Sequence, residues 1–240
     1  MFPRSILKER AKTMLRRNYW ICLAACLMLQ SGGFIPGFFF PAVINPFENY
    51  ADKIFASDPE LSVLVPVLLI FAGFILILSV GISIFVMSVL EVGVAKFFLH
   101  ASGGQDDLGF LFAGFKKPFY FPIVKAMAWR MLMTFLWSLL FIIPGIVKSY
   151  AYSMVPYLLA ENPGRTPREA LAESERLTDG FKMELFVLDL SFIGWTLLGI
   201  LACGVGVLFV TPYIQAAKAE AYQQLRGSPY TPPPYPTYSI

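Results

Sequence analysis

Residues 125–160 read KAMAWRMLMTFLWSLLFIIPGIVKSYAYSMVPYLLA, and this stretch decides the fold. As a single helix its 36 residues would run about 54 Å, against ~30 Å of hydrocarbon in a bilayer. Pro144-Gly145 sits near the middle, where a proline stops the helix and a glycine supplies the turn. The stretch therefore reads as a helical hairpin with spans at 125–143 and 146–160.

Working outward, residues 183–218 repeat the arrangement around Cys203-Gly204-Val205-Gly206, with spans at 184–203 and 205–217. Two longer windows without charge lie upstream: thirty residues between Arg17 and Glu48, and thirty between Glu60 and Glu91. They supply spans at 19–44 and 61–90. The expectation is an all-α membrane protein with six transmembrane helices in three hairpins. A single membrane domain covers 1–226, and a disordered Pro/Tyr-rich tail follows over 227–240.

Composition agrees with a lipid environment. The chain of 240 residues is 57% hydrophobic and 15% charged, whereas soluble domains are ~45–50% apolar and ~25% charged. Its mean hydropathy is +0.63. Orientation follows from Lys and Arg, which favour the cytoplasmic side. Seventeen of the nineteen fall on one side of the six-span arrangement, leaving Lys53 and Lys148 on the other. Both termini are then cytoplasmic. Six basic residues before Tyr19–Leu29 also resemble a secretory signal, and Leu23-Ala24-Ala25-Cys26 fits a lipoprotein cleavage box. The apolar run continues past Cys26, which favours an uncleaved span.

The same inventory excludes several functions. His100 is the only histidine, so multi-histidine metal sites are out. No glycine-rich loop ends in Lys-Ser or Lys-Thr, and the basic residues form no stripe suited to nucleic acid. Cys22, Cys26 and Cys203 all lie in apolar runs and read as small buried hydrophobes. No cofactor is implied.

An internal repeat is visible. Trp137-Ser138-Leu139-Leu140 matches Trp195-Thr196-Leu197-Leu198, Pro156-Tyr157 matches Pro212-Tyr213, and Gly114-Phe115-Lys116 matches Gly180-Phe181-Lys182. Short amphipathic stretches precede the hairpins on the cytoplasmic side. Ile6, Leu7, Ala11, Met14 and Leu15 line the first; Leu108, Leu111, Phe112 and Phe115 the second; Leu171, Ser174 and Leu177 the third. Pro167 suits the start of the third and Gly180 its end.

Three ionisable residues enter the spans at similar cytoplasmic depth: Glu91, Arg130 and Asp189. Such residues pair or face a polar cavity. Both an Arg130–Asp189 and an Arg130–Glu91 pair are open, and so is a transport site. Lys148 reads as a snorkelling residue at the outer surface. Pro156 and Pro212 read as kinks near cytoplasmic span ends.

Leu7-Lys8-Glu9-Arg10-Ala11-Lys12 with Asn18-Tyr19-Trp20 resembles the opening of the bacterial membrane family called domain of unknown function 975. Pro144–Lys148, Tyr150–Met154, Leu159–Pro163, Ser191–Trp195 and Pro212-Tyr213 continue the resemblance in order. It implies a bacterial multi-span protein of the cytoplasmic membrane and carries no activity, catalytic residue or ligand with it. The functional expectation is a non-enzymatic structural or interaction component. Its partners would be membrane lipids and a membrane-protein partner or second copy of the chain. The alternative is a small transporter or permease subunit using Glu91, Arg130 and Asp189. For an enzyme, only the loop with His100, Gly103-Gly104 and Asp106-Asp107 is conceivable, and a polar loop explains it without chemistry.

Overall fold

A computed structural model describes residues 5–30, 64–105, 107–201 and 205–227, and every regular element among them is helical. Helix α1 covers residues 5–30, and α2 is Leu64–Ser102. A 3-10 helix occupies Leu108–Phe115. Then come α3 (Tyr120–Leu140), α4 (Ile142–Ala151), α5 (Val155–Glu161), α6 (Pro167–Thr178), α7 (Lys182–Leu201) and α8 (Val205–Arg226). Three described segments are long and apolar enough to cross a membrane: Phe85–Ser102, Tyr120–Leu140 and Lys182–Leu201. The first differs from the others, being 61% buried within the protein against 22% for each of the other two. It is a core helix, whereas α3 and α7 present most of their apolar surface outward.

The chain forms two compact units, Met28–Met87 and the remainder. In the smaller unit, the described part of α2 is uncharged and carries exposed Ile70, Phe71, Phe74 and Ile77. Residues 31–63, which hold part of the first expected span and Lys53, lie outside the described residues, as do Cys203-Gly204 and the tail.

The larger unit has a packed part and two projecting hairpins. Phe97, Phe98, Ile123, Leu159, Leu188 and Tyr222 are fully enclosed in the packed part. Gly93 lets α2 meet the 3-10 helix, because a Cβ there would press on the Leu111 carbonyl. The α3–α4 hairpin is the reverse: Leu139, Phe141, Ile142 and Ile143 are all between 68% and 77% exposed.

Proline explains where helices start rather than where they turn. The α3–α4 break falls at Phe141 in extended conformation, ahead of the expected Pro144-Gly145 turn. Pro144 sits in the first turn of α4, where its missing N–H leaves no bond unmade. Pro156 likewise opens α5 instead of kinking a span. The stretch 146–160 is thus two short helices, broken at Tyr152–Met154, in place of one continuous rod. Pro212 does lie inside α8. Beside it, the Tyr19 hydroxyl of α1 donates to the Phe209 carbonyl at 3.1 Å.

The amphipathic stretches fare differently. The first is no separate element, since it runs unbroken into α1. Leu7, Ala11, Leu15, Cys22 and Cys26 are all buried, and neither cysteine is in a disulfide. The second winds with three residues per turn, so Phe110, Leu111 and Gly114 turn inward while Phe112 and Phe115 are exposed. The third, α6, follows its sequence closely. Thr166 and Glu169 form a reciprocal capping box, Pro167 opens the helix, and Gly180 follows it at φ +77.

Glycine closes both projecting hairpins. A Cβ on Gly145 would lie 2.7 Å from the Ser138 Cα, and one on Gly206 would lie 2.6 Å from the Gly199 Cα. Backbones therefore touch at these points, as small residues allow in lipid. Gly206→Leu should splay α7 from α8 and lower stability by about 1–3 kcal/mol, measured by thermal unfolding in detergent. An unchanged midpoint would show that the contact is dispensable.

Candidate functional site

Charged side chains of the larger unit gather where the hairpins leave the packed part. Arg130 of α3 donates to the Glu91 carboxylate of α2 at 2.9 Å. Asp189 of α7 pairs instead with Lys218 of α8 at 3.3 Å and accepts from the Tyr150 hydroxyl at 3.3 Å. The three residues expected as one cluster thus form two separate ion pairs. Buried Tyr157 feels the charges of Glu91, Arg130 and Asp189 and stacks on Tyr222 with centroids 5.3 Å apart.

Lys148 departs from its expected place. It donates to Glu175 of α6 at 2.6 Å and lies over the Trp137 and Tyr152 rings. Helix α6 carries five charged residues, and its outer face exposes Arg168, Glu169 and Arg176. Lys148 and α6 therefore share one side of the larger unit, whereas the six-span expectation put them on opposite sides. Helix α6 is fixed there by the break between α4 and α5. The Ala151 carbonyl accepts from the Ser174 hydroxyl at 2.7 Å and the Thr178 hydroxyl at 3.3 Å, and the Met154 N–H donates to Ser174 at 3.2 Å.

Two grooves flank this level. One of about 610 Å³ is lined by Lys12, Leu15, Arg16 and Tyr19 of α1 with Trp195, Phe209, Val210 and Tyr213. The other, about 510 Å³, runs along the polar face of α6 past Arg165, Glu169, Glu173 and Arg176. Its Glu173 carboxyl is held below its usual range by the hydrogen bond from Arg176. His100 and Asp107, the described ionisable residues of the loop region raised for an enzyme, make local contacts. The His100 ring stacks on Phe110 at 4.0 Å, its Nδ1 lies 2.8 Å from the Lys96 carbonyl, and Asp107 caps the 3-10 helix.

Residues 62–228 match the family described as "Protein of unknown function (DUF975)". The chain belongs to this family. The match takes in both projecting hairpins, α6 and every ion pair above, and leaves out the basic arm of α1. No curated protein and no solved structure matches the chain.

Sequence reasoning missed Lys218, Tyr150 and Glu175 as partners. Lys218 was within reach: a hairpin turning near 203–204 sets 189 opposite 218. Nothing local signals that Glu175 finds Lys148, since that contact depends on where the α4–α5 break falls. Arg130→Met should destabilise by about 1–3 kcal/mol, because it strands Glu91 at a half-buried position. The double variant Glu91→Gln/Arg130→Met should recover part of that loss in detergent unfolding. Equal loss in single and double variants would mean the pair contributes no coupling.

Proposed function

We propose that this protein is a non-enzymatic structural or interaction component of the bacterial cytoplasmic membrane, organising lipid or a partner subunit. The carrying observation is that Glu91 and Asp189, the acids expected at membrane depth, both have cationic partners within the chain. A translocation site needs charges that exchange partners with a substrate, whereas these tie α2 to α3 and α7 to α8. The α3 and α7 surfaces, apolar and outward, suit lipid contact.

Cytoplasmic termini fit the same reading. Lys8 lies over the Phe192 ring, and Arg10 acts on Glu220, so the start of α1 lies beside the second half of α8, which supports that reading. The segments Phe85–Ser102, Tyr120–Leu140 and Lys182–Leu201, apolar over 18 residues or more, supply the surface that embeds the protein in the bilayer.

The protein should remain in the membrane pellet after alkaline carbonate washing. Reconstituted vesicles carrying it should show no more flux of protons, monovalent ions or small peptides than empty vesicles. Flux abolished by Asp189→Asn would replace this proposal with the transporter reading.

A further inference from the structure

We infer that the α3–α4 and α7–α8 hairpins each penetrate a single leaflet from the cytoplasmic side and end inside the hydrocarbon. The inference deepens the membrane-component reading and rests on it.

Composition of the turns is the first ground. A hairpin that crosses the bilayer turns in water, where polar residues and exposed glycine or proline serve it. Here Leu139 to Val147 contains no polar side chain, and neither does Leu197 to Val210. The α3–α4 turn is made of leucine, isoleucine and phenylalanine exposed on every side. A protein partner would cover one face of a helix; exposure all round calls for a fluid that surrounds it.

Length is the second. Beyond Arg130 and Lys148 the first hairpin has 17 residues, about 13 Å per leg. Beyond the Asp189–Lys218 pair the second has 28, about 20 Å per leg. Full hydrocarbon is ~30 Å thick, so one leaflet takes ~15 Å. The first leg matches one leaflet, and the second, counted from its ion pair, is ~10 Å short of a full crossing and shorter still when counted from Trp195 and Tyr213.

The third ground fixes the water level. Lys148 is bonded to Glu175 on α6, whose outer face is charged and exposed. Only seven residues, about 10 Å, separate Lys148 from the turn at Phe141. On the other hairpin, Lys12 and Arg16 share a groove with Trp195, Phe209 and Tyr213. Those cations with their aromatic neighbours mark a headgroup layer, and Trp195 stands only six residues before the end of α7.

The backbone chemistry agrees. The serine and threonine hydroxyls on the described hairpin legs are satisfied by their own helices: Thr134 by Arg130, Ser138 by Thr134, Ser191 by Leu188, Thr196 by Phe192 and Thr211 by Val207. At the α3–α4 turn, Phe141 N–H bonds Trp137 and Gly145 N–H bonds Phe141, while Pro144 has no N–H to leave stranded. The first-turn N–H groups of Ile142 and Ile143 are the donors at this turn that find no acceptor among the described residues.

Depth-dependent quenching tests this on the full-length protein in phosphatidylglycerol/phosphatidylethanolamine vesicles. A bimane is attached to Phe141→Cys or Leu201→Cys, with Cys203 replaced by Ser. Both positions are exposed, so no packing is removed. Quenching should be strongest with a doxyl group near the acyl-chain end and weakest with a headgroup spin label, the reverse of the order for Ala172→Cys on α6. Strongest quenching from the headgroup label at either tip overturns the inference. Leu140→Cys and Ile200→Cys report the same depths if either first variant folds poorly. In intact cells, an impermeant maleimide added outside should label none of these cysteines; labelling at a tip would again overturn it. Release of the protein by alkaline carbonate would defeat the membrane reading itself, whereas retention with an outwardly reactive tip would defeat only the one-leaflet placement.

Discussion

A helix that stops inside a protein leaves carbonyls without donors, and at Ala151 those donors come from α6, 23 and 27 residues downstream. Ser174 and Thr178 both reach that carbonyl, and Ser174 also accepts from the Met154 N–H beyond the break. Much else depends on this exchange. It allows α4 to end and α5 to begin at a new angle, with Val155 to Ala160 enclosed. It draws α6 against the apolar bundle despite five charged residues in twelve. With α6 seated, Glu175 meets Lys148, and the polar boundary of the larger unit is set.

The two hairpins solve one physical problem twice. In a bilayer each would have to hold two helices together where lipid supplies no hydrophobic drive between them, since hydrocarbon is as apolar as leucine. Close backbone approach supplies the attraction instead. Ser138 meets Gly145, and Gly199 meets Gly206, each pair seven residues apart across its turn. Ion pairs fasten the opposite ends, Glu91–Arg130 beside one hairpin and Asp189–Lys218 across the other. The repeat visible in sequence thus corresponds to a shared construction, although its members do not superpose residue for residue.

Much of this was legible in the sequence, and the failures have common causes. Helical character, the hairpin around Cys203–Gly206 and the α6 cap follow from local chemistry: apolar runs, a glycine pair, and Thr166 with Glu169 three residues on. Prolines misled, because the same residue either ends one helix or opens the next. Pro144 and Pro156 do the second, and only tertiary context distinguishes the cases. Charge placement was read as topology, which put Lys148 on the far side. A lysine near a helix break answers to its nearest carboxylate, and Glu175 becomes nearest only after α6 docks. The Arg130–Glu91 pair was among the options the sequence left open; the separation of Asp189 from it was not visible, since nothing local sets the distance between α2 and α7.

The bond from Tyr19 to the Phe209 carbonyl joins residues 190 apart in the chain. Lys8 over Phe192 and Arg10 near Glu220 tie α1 to the same late helices. A ribosome releases α1 first and its partners last. Helix α1 must therefore wait through most of synthesis before these contacts can form. During that interval its Lys- and Arg-flanked apolar face needs a temporary bed, and the adjacent lipid surface offers one with matching charge. Closure of the molecule is accordingly a late event in its making, timed by the emergence of α8.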